Sequence, residues 1–206
     1  MKKLKLIIAA LFLVISGINL NAQSTWSINS ISLSTGETPL TRGITITGVF
    51  EKGNHLLVMD YNSEIGELMY FYTPPKLKWI SIGHSIGFFK NTMWAGPIAS
   101  LTFFDGHFKT LNWMGASFGD PEIGNTKGEA SFLFSYQQFT FVLGNPKSDN
   151  MEAYYVLQHY QKCLPEHIFG TKVNTLLNEN LTFFGGVAYM KVAEKFLWSM
   201  GLNYSF

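Results

Sequence analysis

Cysteine is nearly absent from this chain: Cys163 is the only one among 206 residues. No intramolecular disulfide can therefore staple a small secreted domain, and the lone thiol is expected to act as a small buried or lipid-facing hydrophobe. Charge is sparse as well. Asp, Glu, Lys and Arg make up 14% of the residues, and Arg42 is the sole arginine. That excludes the basic surface a nucleic-acid binder needs. After the N-terminal stretch no segment offers the run of about 18 apolar residues that a spanning helix requires. Charge blocks, low-complexity tracts and internal repeats are also missing, so nothing marks a second domain. What remains is 47% apolar and 16% aromatic, too hydrophobic for a disordered chain.

The first 22 residues stand apart. Lys2, Lys3 and Lys5 precede an apolar stretch from Leu6 to Ile15, which Ser16, Gly17 and Asn19 break before the small residue Ala22. This is the plan of a cleaved secretory leader, with Leu20 the one departure from the preferred small residues. The expected organisation is a signal peptide at 1–22 and a single domain at 23–206. The mature part then holds 12 basic and 14 acidic groups, a formal charge of −2, too small to steer a polyanion.

The mature chain alternates with period two. At its end Phe196, Trp198, Met200, Leu202, Tyr204 and Phe206 share one face of an extended strand, and Leu197, Ser199, Gly201, Asn203 and Ser205 share the other. A helix would scatter these rings around its axis. Ile80, Ile82, Ile86 and Phe88 alternate in the same way with Ser81, Gly83, Ser85 and Gly87. Ala95, Pro97, Ala99, Leu101 and Phe103 alternate with Gly96, Ser100 and Thr102. Phe132, Phe134 and Tyr136 carry the pattern until it slips at Gln137–Gln138 and resumes with Phe139, Phe141 and Leu143. The slip reads as a β-bulge. Regular turn signals, such as Lys52-Gly53-Asn54 and Asp105-Gly106, cut the chain into about twelve strands, with ten as the alternative count.

Alternation suits a soluble sandwich as well as a membrane barrel, but a sandwich keeps charge on its outward face. Here the non-apolar face is mostly Ser, Thr, Gly and Asn, which fits a barrel with apolar residues towards lipid and a polar interior. With its leader, alternating body and terminal Phe206, the chain resembles the outer-membrane β-barrel proteins of Gram-negative bacteria. The resemblance implies a closed antiparallel up-and-down transmembrane barrel. It also implies contact with outer-membrane lipid, and recognition of Trp198, Met200, Leu202, Tyr204 and Phe206 by the barrel-assembly machinery. The competing fold is a secreted soluble barrel of lipocalin type.

With the large residues facing lipid, the expected lumen lining includes Thr45, Thr47, Ser81, Gly83, Ser85, Gly87, Ser100, Thr102, Ser199, Gly201, Asn203 and Ser205. Small linings leave a hollow, unless Trp79 and Trp94 turn inward and plug it. Trp26, Trp79, Trp94, Trp113 and Trp198, with Tyr70 and Tyr72, read first as girdles at the bilayer interfaces.

No HExxH, GxSxG or CxxC spacing appears, no cofactor is implied, and His55, His84, His107, His159 and His167 lack metal-ligand spacing. His84 and Ser85 point to opposite faces of one strand and cannot form a dyad. Asp105 and His107 share a face across a turn, and Glu166-His167 falls in an outward loop. The expected function is therefore non-enzymatic: a narrow, weakly charged pore or binding cavity for a neutral or amphipathic small molecule. The alternatives are an accessory subunit packing its outer wall on a larger complex through Ala95, Pro97 and Ala99, and a lipid-modifying enzyme.

Overall fold

The computed structural model describes residues 25–37, 42–89, 92–119, 131–161 and 164–206. The proposed leader and Cys163 lie outside the described residues. Twelve strands follow one another: β1 (Ser27–Glu37), β2 (Arg42–Lys52), β3 (His55–Tyr61), β4 (Ile65–Tyr72), β5 (Ile80–Phe89), β6 (Thr92–Phe103), β7 (Phe108–Gly119), β8 (Ser131–Gly144), β9 (Asn150–Tyr160), β10 (Glu166–Leu176), β11 (Leu181–Met190) and β12 (Lys195–Ser205). Each pairs antiparallel with the next, and β12 returns to β1, closing the barrel.

Closure is set by register. Ser30 faces Ser205 and Leu33 faces Leu202 along the β1–β12 seam, which runs to Glu37 opposite Trp198. A backbone bond ties its lower end, Phe206 N–H donating to the Asn29 carbonyl (3.0 Å), and on the other side of β12 Ser205 N–H donates to the Asn180 carbonyl in the turn before β11 (2.8 Å). The tight connections at this end use left-handed backbone, at Gly53 between β2 and β3 and at Phe104 and Asp105 between β6 and β7. Such residues match the right-handed twist of the strands they join.

Alternation gives the wall two faces. Phe183, Leu202, Leu33 and Ile46 lie side by side across four strands, and all are exposed, Leu33 by 53%. Trp198, Met200, Tyr204 and Phe206 are exposed on the same outer face, whereas Leu197 beside them is buried. Bulky hydrocarbon therefore coats the outside of the cylinder.

Two expectations are corrected. The slip at Gln137–Gln138 is no bulge: β8 keeps unbroken register with both β7 and β9 along its length. Instead the bulky residues change face. Phe134 and Tyr136 point inward against Trp113, while Phe141 and Leu143 are exposed outside. The irregularity in the barrel lies between β1 and β2, at Ile28/Ser30. The second correction concerns the girdle. Trp79 stacks on Phe103 at the lower rim (5.7 Å between ring centroids), and Tyr70 and Tyr72 flank His55 there. Trp94 and Trp113 instead face inward, 6.0 Å from each other.

Adjacent strands approach closely at Gly83, where an added Cβ would sit 1.7 Å from the Tyr70 carbonyl oxygen. Replacing Gly83 by Val is expected to abolish the folded, heat-modifiable band on unboiled gels, because overpacking of even tolerant sites costs about 1–3 kcal/mol. Gly185→Ala, whose Cβ would meet nothing nearer than 3.5 Å, should keep that band.

Candidate functional site: the barrel interior

One inward row can be followed strand by strand. Asn203 of β12 pairs with Ser32, Ser32 with Thr47, Thr47 with Asp60, and Asp60 with Glu67. Glu67 then pairs with Gly87, Gly87 with Trp94, and Trp94 with Ser117. Two carboxylates thus stand side by side on β3 and β4, just below the outward hairpin 62–64. Thr47 donates its hydroxyl to Asp60, and Ser85 donates to Glu67 at 2.6 Å. Both carboxylates are half-buried.

Gly87 explains how the neighbouring indole fits. A Cβ there would fall 2.4 Å from Trp94 Cζ2 and 2.5 Å from Cε2. The absent side chain is what lets the indole lie across β5 towards Glu67. Trp94 is only 5% exposed, and its Nε1 has no hydrogen-bond partner.

The interior has two unlike walls. Across β12, β1 and β2 it presents Ser199, Asn203, Ser205, Ser30, Ser32, Ser34, Thr45 and Thr47, held in register with one another or with glycines. Across β6 to β8 it presents Trp94, Trp113, Phe134 and Tyr136. Tyr136 also packs, with Tyr154 and Met190, on the buried cluster of Val156, Ile168, Ala188 and Leu197. Small residues line part of the interior and large ones fill another part, with Trp94 turned in and Trp79 left on the rim.

The remaining expected lining residues divide by position. Ser81 pairs with Ser100, and Thr102 with Lys109 near the lower rim. Gly83 faces Phe71 and Ile98. Ser81 also shares a 2.7 Å hydroxyl contact with Thr73. Thr47 and Ser85 are the two expected lining residues that touch the carboxylate pair. Asp60 and Glu67 themselves were missed from sequence, as were Glu152 and Lys172, which face each other across β9 and β10. The Lys172 ammonium lies 4.7 Å from the Phe184 ring centroid, a cation–π contact.

The histidines are not brought together. His84 is exposed outside while Ser85 is buried within. His55 bonds Tyr70 (2.6 Å), His107 the Val142 carbonyl (2.9 Å) and His167 Tyr155 (2.8 Å). Glu166 accepts the backbone N–H groups of Val192 and Ala193, which makes it the cap of the last outward turn. Among the described residues no group of three or more His, Cys, Asp or Glu could hold a metal ion.

With this geometry in view, the barrel can be set beside known proteins. No protein-family model matches the chain, and no curated protein sequence does. Solved structures do match. A KdgM porin aligns with TM-score 0.56 and 12% identity over 86% of this chain and 99% of its own. KdgM porin in complex with disordered oligogalacturonate gives 0.58 over the same shares, also at 12%. The chain has the fold of an outer-membrane β-barrel. The translocator domain of the autotransporter NalP from Neisseria meningitidis also aligns, at TM-score 0.50 and 9% identity over 99% and 96%.

Ser85 is 2% exposed and supplies Glu67 with its hydroxyl donor. Removing a hydrogen bond to a charged group costs about 1.5–3 kcal/mol, so Ser85→Ala should lower the urea midpoint of the refolded barrel accordingly. Ser199→Ala, which removes no side-chain hydrogen bond, should change stability by less than about 0.5 kcal/mol.

Proposed function

We propose that the chain is exported by a cleaved leader, assembled into the outer membrane through its terminal strand, and works without catalysis. Its function in this reading is that of a narrow pore or binding cavity for a small amphipathic solute. One observation carries this reading: the unlike walls of the interior. A solute with one polar edge and one apolar face finds hydroxyls and amides on β12, β1 and β2, and rings on β6, β7 and β8. The likeness to porins supports a pore-forming barrel through its fold. The oligogalacturonate named for one of those neighbours belongs to that protein, and the single arginine of this chain makes a polyanion a poor fit.

A second reading, the accessory subunit, is favoured by a specific feature of the outer wall. Asn112 and Gln137 are register partners on the outward face, where Asn112 donates to Thr110 at 3.1 Å. Ala99 lies opposite Asn112 on the next strand, in the outward row with Ala95 and Pro97. Amides at lipid depth seek partners, and small neighbours permit close approach. Cross-linking through a cysteine at Ala99 would reveal a stoichiometric partner in mild detergent, and a clean monomer would count against this reading.

The pore reading is tested in planar bilayers. Purified protein should give discrete conductance steps, and Trp94→Ala should enlarge them by removing the indole from the narrow side. A folded, heat-modifiable barrel without steps would overturn it.

A further inference from the structure

We infer that the outer wall at β6 to β8 seats a second copy of this chain, across a two-fold axis that runs along the membrane normal over β7. This rests on the second reading, of that wall as a contact surface, and names its occupant. Neighbouring residues fix the depth. Asn112 and Gln137 each stand four residues above the paired rim rings Phe108 and Phe141. That is about 10 Å into an apolar band about 25 Å tall, and exposed Met114 and Leu133 continue the band above them. Amides at this depth meet no water. Asn112 gives one proton to Thr110, which leaves its carbonyl and its second proton open. Among the described residues no hydrogen bond reaches the Gln137 side chain.

A second, independent feature lies beside them in the backbone. Thr102 N–H donates to the Trp79 carbonyl (2.8 Å), so even residues of β6 bond towards β5 and odd ones towards β7. Pro97 is odd and has no N–H to give. Pairing of β6 with β7 lapses there, between Ala95 and Ile98, and the Met114 carbonyl opposite loses its ladder donor. A backbone group without a partner is costly in hydrocarbon.

A second copy answers both needs by symmetry. Copies inserted in the same direction are related by an axis along the membrane normal, so each residue meets residues of its own depth. Ala99, Asn112 and Gln137 form one outward row across β6, β7 and β8. Turned about β7, that row is its own complement. Asn112 faces Asn112 of the second copy, and each long Gln137 lies over the other copy's small Ala99. An amide is donor and acceptor at once, so identical groups pair, and Gln137 carries the N–H that the Met114 carbonyl lacks. Ala95, Pro97 and Ala99 let the two walls approach. No Asp, Glu, Lys or Arg stands on this face of the three strands among the described residues, so the copies do not repel.

The test uses the refolded full barrel in mild detergent, where sedimentation equilibrium should give the mass of a dimer. Met114→Cys, made together with Cys163→Ser, should be joined to its own copy by a bis-maleimide about 10 Å long, the spacing of two packed sheets. The double substitution Asn112→Leu, Gln137→Leu places apolar side chains on a wall that faces lipid, so the heat-modifiable band should persist. Its dimer dissociation constant should rise by about tenfold or more. Thr35→Leu, a like change on the outer face of β1 across the barrel, should leave that constant unchanged. A wild-type barrel that stays monomeric, or a double variant that dimerises as well as wild type, sinks the inference. A dimer that does not cross-link at residue 114 overturns the axis over β7. If the pure barrel is monomeric while Ala99→Cys captures a different protein in the membrane, the second reading stands and the second copy fails.

Discussion

Everything in this molecule depends on backbone hydrogen-bond closure. A strand edge left unpaired in hydrocarbon costs several kcal/mol for each exposed group, so a sheet in a bilayer must meet itself. The chain does so by bringing β12 back to β1 over the whole interval from Ser30–Ser205 to Glu37–Trp198. The last residue takes part, since Phe206 donates its own N–H to Asn29. Closure also fixes the pleat, and the pleat sends every second side chain to the outer face. The exposed Met200, Leu202 and rings of β12 follow from where the backbone must go.

Once closed, the barrel has an interior that its own side chains must fill or leave wet. Twelve strands make a cylinder wide enough for the two sides to differ. Ser, Thr and Asn on β12, β1 and β2 occupy little volume, whereas Trp94, Trp113, Phe134 and Tyr136 project across from β6 to β8. The glycines are part of the same arrangement: Gly87 makes space for the Trp94 indole, and Gly170 for the Tyr154 ring. The packed side brings dispersion and burial, and the small-residue side leaves hydroxyls and amides facing the interior.

Much of the architecture was legible from period two alone, because alternation over β5, β6 and β12 leaves no helical reading. Strand number and the polarity of the two faces followed from turn residues and from the missing charge. Face assignment failed where both faces are bulky. In β8 the sequence passes from Phe134 and Tyr136 to Phe139 and Phe141 with two glutamines between, a pattern that a bulge and a change of apolar face produce equally well. Only pairing with β7 and β9 separates them. Trp94 and Trp113 were open to the same error, since an indole serves an interface or a lumen and nothing local says which.

Asp60 and Glu67 were missed for a related reason. They stand in Leu56–Tyr61 and Ile65–Tyr72, segments so uniformly apolar that alternation gives no phase. A signal was nevertheless present. A carboxylate within a strand that crosses hydrocarbon has one tolerable direction, inward, and that assigns the phase of the whole strand. Applied to β3 and β4, the argument places Val58 and Asp60 on one face and Glu67, Met69 and Phe71 on the other strand's matching face, in accord with the register between them. In an apolar membrane strand the rare charge is thus a better marker of the lumen than the small polar residues are. It also marks where the interior departs from neutrality, which small residues never reveal.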